Sequence, residues 1–243
     1  GYDWTGVDAL PVCWNTENSV LIPADYPVFI TDAMTSGDLN DDGVEDLVLL
    51  SRDEEAFLVH STDDFTPEFC KFPQGIGTLR LDVSFPNLEY PHKMAVGDVN
   101  GDGVDDLLFS RWNELGCPYD TADPDDCVPD RVSVKTGTAA SWEDFAFDVE
   151  VAALVGKGPS DIGAGDFNAD GFEDAVTANA VSEDLSFVMG QSPFVGNVVR
   201  RFDLNAGQTN TTLAVGDLNE DGVPDLVTAH RETNLVQVIL SSP

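Results

Sequence analysis

Four short stretches carry the residue types that could do chemistry. They read GDLNDDGVEDLVLL from Gly37, GDVNGDGVDDLLFS from Gly97, GDFNADGFEDAVTA from Gly165 and GDLNEDGVPDLVTA from Gly216. Each keeps oxygen-bearing side chains at the first, third, fifth and ninth places and a glycine at the sixth. A loop curling round an ion presents alternate residues inward, and a hard cation wants six to eight oxygens. The glycine allows a sharp turn that a β-carbon would obstruct. The chemistry on offer is therefore Ca²⁺ binding, about one ion per loop. The candidate ligands of the first loop are Asp38, Asn40, Asp42 and Asp46, with the backbone carbonyl of Val44. The matching sets are Asp98, Asn100, Asp102, Val104 and Asp106, then Asp166, Asn168, Asp170, Phe172 and Asp174, then Asp217, Asn219, Asp221, Val223 and Asp225. The eighth place varies (Glu45, Asp105, Glu173, Pro224), as expected of a side chain that points outward.

The loops need elements to hold them. Each lies between a small or apolar run and a second run of strand character, so each unit is a strand, an acidic turn and a returning strand. Further strands are predicted at 56–61, 78–84, 131–136, 145–152, 185–189, 195–204 and 235–240. No segment has a 3.6-residue apolar period, so little helix is expected. The first aspartates recur at intervals of 60, 68 and 51 residues. The fold class is all-β: a propeller-like array of four four-stranded antiparallel blades, with the acidic loops between first and second strands. The repeats cover about 25–88, 89–155, 156–206 and 207–243 and form one domain after an N-terminal segment, 1–24. The last blade is one strand short. Residues 19–22 or 7–12 are expected to pair with 235–240 and close a ring, unless the chain is an arc of a larger propeller.

The loops resemble the first half of an EF-hand but lack its bidentate glutamate. The twelfth place holds Leu49, Phe109, Thr177 and Thr228, and the flanks are strand-like. The pattern is similar to FG-GAP or VCBS repeats, as in the calcium-binding blades of integrin α-subunit propellers. That resemblance implies the ligand roles above and partner binding on a propeller face. The Phe-Gly and Gly-Ala-Pro signatures of that family are degraded here.

Composition sets limits. The chain has 243 residues, 42% of them hydrophobic, enough for a core. Eleven basic residues face 45 acidic ones, a net charge of −34. Nucleic acid and anionic membranes would be repelled. Four Ca²⁺ would offset 8 of those charges, so the acidity also points to a salty milieu or a charged surface. No apolar run is long enough for a transmembrane helix, and the first residues do not read as a signal peptide. Cys13, Cys70, Cys117 and Cys127 form no CxxC pair, which disfavours zinc. Cys117 with Cys127 and Cys13 with Cys70 are expected as disulfides in an oxidising compartment; four buried thiols are the alternative.

No catalytic motif is present. His60, His92 and His230 share no metal spacing and are expected as strand-surface or packed residues. Arg52, Arg111 and Arg231 recur after second strands, where they would neutralise carboxylates. The acidic insertion 113–129 is a solvated loop, an extra cation site or a partner contact. Trp112 and Trp142 are core residues or sugar-stacking surfaces, and Asn210-Thr211-Thr212 is a glycosylation sequon. The expected function is an extracellular calcium-stabilised module, secreted, at the cell surface or periplasmic, for adhesion or assembly with a protein or glycan partner. A lectin or carbohydrate-active enzyme on the same scaffold and a subunit of a surface filament are the alternatives.

Overall fold

A computed structural model describes residues 33–39, 41, 43, 45–51, 56–60, 80–84, 91–112, 130–137, 151–196, 199–204 and 211–242. The elements among them are fifteen strands, forming four antiparallel sheets in chain order. The first sheet holds β1 (Ala33–Gly37), β2 (Asp46–Ser51), β3 (Ala56–His60) and β4 (Arg80–Ser84). The second holds β5 (Pro91–Gly97), β6 (Asp106–Arg111), β7 (Arg131–Lys135) and β8 (Val151–Leu154). The third holds β9 (Pro159–Gly165), β10 (Asp174–Asn179), β11 (Asp184–Val188) and β12 (Val199–Asp203). The last has three strands, β13 (Thr211–Gly216), β14 (Asp225–His230) and β15 (Leu235–Ile239).

Each acidic loop joins the first and second strands of its sheet, as expected. The ladder register puts the glycine before the loop opposite the ninth-place aspartate: Gly37 with Asp46, Gly97 with Asp106, Gly165 with Asp174, Gly216 with Asp225. The eighth strand is described over Val151–Leu154, ending two residues beyond the expected 145–152, and 145–150 lie outside the described residues. The described residues show no closed ring. The proposed closing segments 7–12 and 19–22, and all four cysteines, lie outside them.

The sheets stack face to face through three apolar layers. Leu39, Val48 and Leu50 of the first repeat meet Met94, Leu107 and Phe109 of the second. On the other face of the second sheet, Ala95, Val99, Leu108, Val132 and Val134 meet Ile162, Ala175 and Val188. Between third and fourth sheets lie Val176, Ala178, Leu185 and Leu226, with Leu213, Val215 and Ile239 against them. Successive side chains of a strand point to opposite faces. Leu107 and Leu108 therefore belong to different layers, which is why β6 and β10 are buried along their whole length.

The glycine before each loop is where the next sheet presses. A β-carbon on Gly97 would lie 2.0 Å from Glu173 Oε2 and 2.9 Å from Ala164 Cβ; one on Gly37 would lie 2.2 Å from Val96 Cγ1. Gly216 has nothing within 4 Å. Gly97→Ala is therefore expected to lower stability by about 1–3 kcal/mol through overpacking, whereas Gly216→Ala leaves the monomer unchanged. Urea unfolding of the two variants checks this, and equal midpoints would contradict the close approach.

Candidate metal centres

The four loops share one backbone course. The fourth residue is left-handed in each, with φ of 57° at Asp41, 74° at Gly101, 57° at Ala169 and 60° at Glu220. The sixth is a glycine with φ of 82° at Gly43, 88° at Gly103, 91° at Gly171 and 88° at Gly222. Two left-handed residues one apart coil the chain tightly round its own first side chain.

That side chain is the hub. The amide of the sixth residue donates to the first aspartate at 2.8 Å (Gly43 to Asp38), 2.8 Å (Gly103 to Asp98), 2.9 Å (Gly171 to Asp166) and 2.9 Å (Gly222 to Asp217). The fifth amide donates to its other oxygen at 3.1 Å in the second, third and fourth loops. In those loops the third residue's Oδ1 accepts from the fifth amide, at 2.8 Å for Asn100 and 2.9 Å for Asn168 and Asn219. The fifth residue's Oδ1 accepts from the seventh amide, at 2.9 Å for Asp102 and 3.0 Å for Asp170 and Asp221. Asn40, Asp42 and Val44 of the first loop lie outside the described residues.

The ninth-place aspartate plays a part that spacing did not reveal. Asp46, Asp106, Asp174 and Asp225 are all buried. One oxygen of each accepts the second residue's amide, from Leu39 at 3.2 Å, Val99 at 3.1 Å, Phe167 at 3.2 Å and Leu218 at 2.8 Å. In the last three repeats the other oxygen accepts an amide just past the third strand, from Gly137, Gly190 and Ser241, each at 2.8 Å. The carboxylate thus pins the loop entry to the far end of the hairpin. Burial, only partly offset by the two amides, pushes the Asp106 carboxyl up to about 7, with Asp102 and Asp98 adding to the rise. Asp174 is likewise raised to about 7, by burial first and by Asp170 and Asp166. At Asp225 the desolvation is outweighed by the Leu218, Ser241 and Asn219 amides and the Ser241 hydroxyl, and its carboxyl lies below the usual range.

The eighth place also differs from expectation. Asp105 and Glu173 do not simply face outward; they reach into the preceding loop. Asp105 Oδ2 accepts the Asp38 amide at 2.8 Å, while the Asp105 amide donates to the Asp38 carbonyl at 3.2 Å. The Glu173 amide donates to the Asp98 carbonyl at 3.0 Å, and its carboxylate accepts the Asp98 amide. Burial raises both carboxyl groups, and neighbouring loop aspartates add to it. Pro224, at this place in the fourth loop, can offer neither group. There the tie moves to the opposite end of the strands, where Asp161 accepts from the Leu213 amide at 3.0 Å and from the Thr212 hydroxyl.

Each loop's donors are all oxygens, which suits a hard cation rather than a soft one. A carboxylate oxygen holding one amide keeps a lone pair for a metal. Among the described residues no three His, Cys, Asp or Glu side chains form a metal-holding group by themselves. The third candidate donor of each loop is an asparagine and the seventh a backbone carbonyl, and the ninth aspartate accepts backbone amides.

The histidines and arginines stand apart from the loops. His230 is buried, bonded to the Thr228 hydroxyl at 2.9 Å, and burial holds its pKa down. His92 lies edge-on to Trp112 with ring centres 5.1 Å apart. Arg111 closes β6, fully buried, and donates to Ser133 Oγ at 3.3 Å. Arg231 is exposed. Residues 113–129, Arg52, Trp142 and Asn210 lie outside the described residues.

No family model and no curated protein matches the chain. The crystal structure of the V. cholerae biofilm matrix protein Bap1 is similar at 17% identity with a TM-score of 0.42. The alignment takes in 86% of this chain but only 27% of Bap1, so this chain spans about a quarter of that one's length. The likeness to FG-GAP and VCBS repeats consequently rests on the four loops alone.

Proposed function

We propose that the chain is an extracellular, calcium-stabilised scaffold, secreted or held at a surface, that serves adhesion or assembly. The observation that carries this reading is the fourfold recurrence of one coiled backbone, with one amide pattern around oxygen donors, on stacked sheets. Solvated turns do not require a hub aspartate at one fixed offset in four loops, with two further side-chain acceptors in the three that are described throughout. The residues that would hold the ions are those at the first, third and fifth places, the seventh carbonyl and the ninth carboxylate. When bound, Ca²⁺ supplies positive charge that offsets the mutual repulsion of the loop carboxylates. The chain's own part is to preset the loop by its left-handed fourth and sixth residues. Sites on extracellular modules need only ~10⁻⁴–10⁻³ M affinity, which fits a structural rather than a signalling ion. Among the described residues no helix is long and apolar enough to cross a membrane.

Terbium luminescence and calorimetric titration test the reading. The expected stoichiometry is four per chain. Asn100→Ala, which leaves the hub aspartate in place, is expected to weaken its own site about tenfold or more and to leave the fourth site unchanged. A folded chain that binds no Ca²⁺ would sink the proposal.

A further inference from the structure

The three buried layers are built from the same places in each repeat, and among the described residues the matching places on the outer faces of the first and last sheets are largely exposed. On the second sheet, the face toward the third sheet is Ala95, Val99, Leu108, Val132 and Val134. By register, the same places on the last sheet are Ala214, Leu218, Val227, Val236 and Val238. Val99, Val132 and Val134 are at most 1% exposed, but Leu218 is 55% exposed, Val236 63% and Val238 53%. Gly216 repeats the signature of a sheet-on-sheet contact. Its counterparts Gly37, Gly97 and Gly165 each touch the next repeat's strand, and Gly216 alone of the four meets open space. It lacks the positive φ that would otherwise call for a glycine.

The opposite half lies on the first sheet. Met94, Ile162 and Leu213 each bury against the preceding sheet, and their counterpart Met34 is 69% exposed. Glu45 is exposed at the eighth place, where Asp105 and Glu173 cap the preceding loop. We infer that the outer face of β13–β15 is a docking face for the β1 side of a second copy of this chain. The occupant follows from continuity with the three internal layers. What fits against Gly216, Leu218, Val236 and Val238 is the leading face of such a repeat, and the described part of this chain carries one at its other end. Residues 1–32 hold no acidic loop of this type and are shorter than the stretch spanned by any of the three four-stranded sheets. The contact joins unlike faces, so it does not close on itself and extends head to tail.

The inference rests on the reading of the chain as an assembly module but not on the ions, so the test is run in calcium with the fold followed by circular dichroism. Sedimentation velocity of the 243-residue chain, from about 1 to 100 μM in salt high enough to screen its charge, is expected to show mass rising with concentration. Val236→Asp and Met34→Asp, both at exposed sites, are each expected to stay monomeric. Mixed in equal amounts they are expected to form a dimer of twice the monomer mass, because each keeps one intact face. A wild-type monomer at all concentrations overturns the inference, as does closure of the chain on its own first sheet. Association of Met34→Asp alone would also overturn it, because that would mean two like faces had met. Loss of assembly with calcium-dependent melting intact would leave the proposed function standing.

Discussion

Removing calcium is expected to lower the melting temperature by about 20–40 °C or to abolish the cooperative transition. The size follows from linkage. An ion at a hundred times its dissociation constant contributes about 2.7 kcal/mol to the folded state. Four ions with ~10⁻⁴ M affinity at ~10 mM calcium therefore contribute about 11 kcal/mol. Ordinary domains have a total stability of only about 5–15 kcal/mol. For a chain of this length each kcal/mol moves the midpoint by about 2–4 °C. Scanning calorimetry in calcium and in EDTA checks it. Magnesium at the same concentration is expected to restore little, because it demands a smaller octahedral shell and gives up its waters reluctantly. A melting temperature unmoved by chelation would mean that the amide networks alone hold the loops.

The second large effect is expected at the ninth-place aspartates. Asp106→Ala removes the acceptor for the amides of Val99 and Gly137, both in buried surroundings. The Val99 amide keeps the Gly97 carbonyl as an acceptor, so the buried Gly137 amide is the one that loses its partner, at a cost of about 1–3 kcal/mol. Asp174→Ala, which takes the acceptor from the Gly190 amide while Phe167 keeps the Gly165 carbonyl, belongs in the same range. Asp225→Ala is expected to cost much less. Its two amide contacts, from Leu218 and Ser241, are both only part-buried, so water can take the place of the carboxylate there. Urea unfolding of the three variants in calcium gives the ranking, and equal losses would contradict it.

The same carboxylates fix a pH dependence. Asp106 and Asp174 are raised to about 7 by burial, against about 3.9 for an unfolded aspartate. The folded chain then holds protons that the unfolded chain has released. Without ions, the contribution of these two groups to stability is fully present below about pH 4 and is lost as pH rises through 7. Calcium needs the ionised form and offsets its cost. The gap between melting temperatures in calcium and in EDTA is therefore expected to widen from about pH 5 to 8, and a constant gap would contradict the assignment.

The loops and their flanking strands were legible because every feature that defines them lies within about a dozen consecutive residues. The side-chain oxygens alternate, the glycine sits where φ is positive, and apolar runs stand on either side. The third strand of the last sheet, Leu235–Ile239, was legible as the apolar run 235–240. The eighth place was not legible. Asp105 and Glu173 look like solvated turn residues until their partners, Asp38 and Asp98, are brought up from more than sixty residues away. The double duty of the ninth aspartate was hidden for a similar reason, since Gly137 lies 31 residues from Asp106.

The handclasp between successive loops has a consequence for how ions would load. Asp105 of the second loop and Glu173 of the third each bond to the first residue of the loop before their own. Ordering one loop therefore prepares its predecessor, and occupancy spreads backward along the chain as positive cooperativity. Pro224 interrupts the series, since the third and fourth repeats are tied instead by Asp161 at the end of the strands away from the loops. The four sites then divide into three that fill as a linked group and one that fills alone, and the terbium titration would register this as two separate phases.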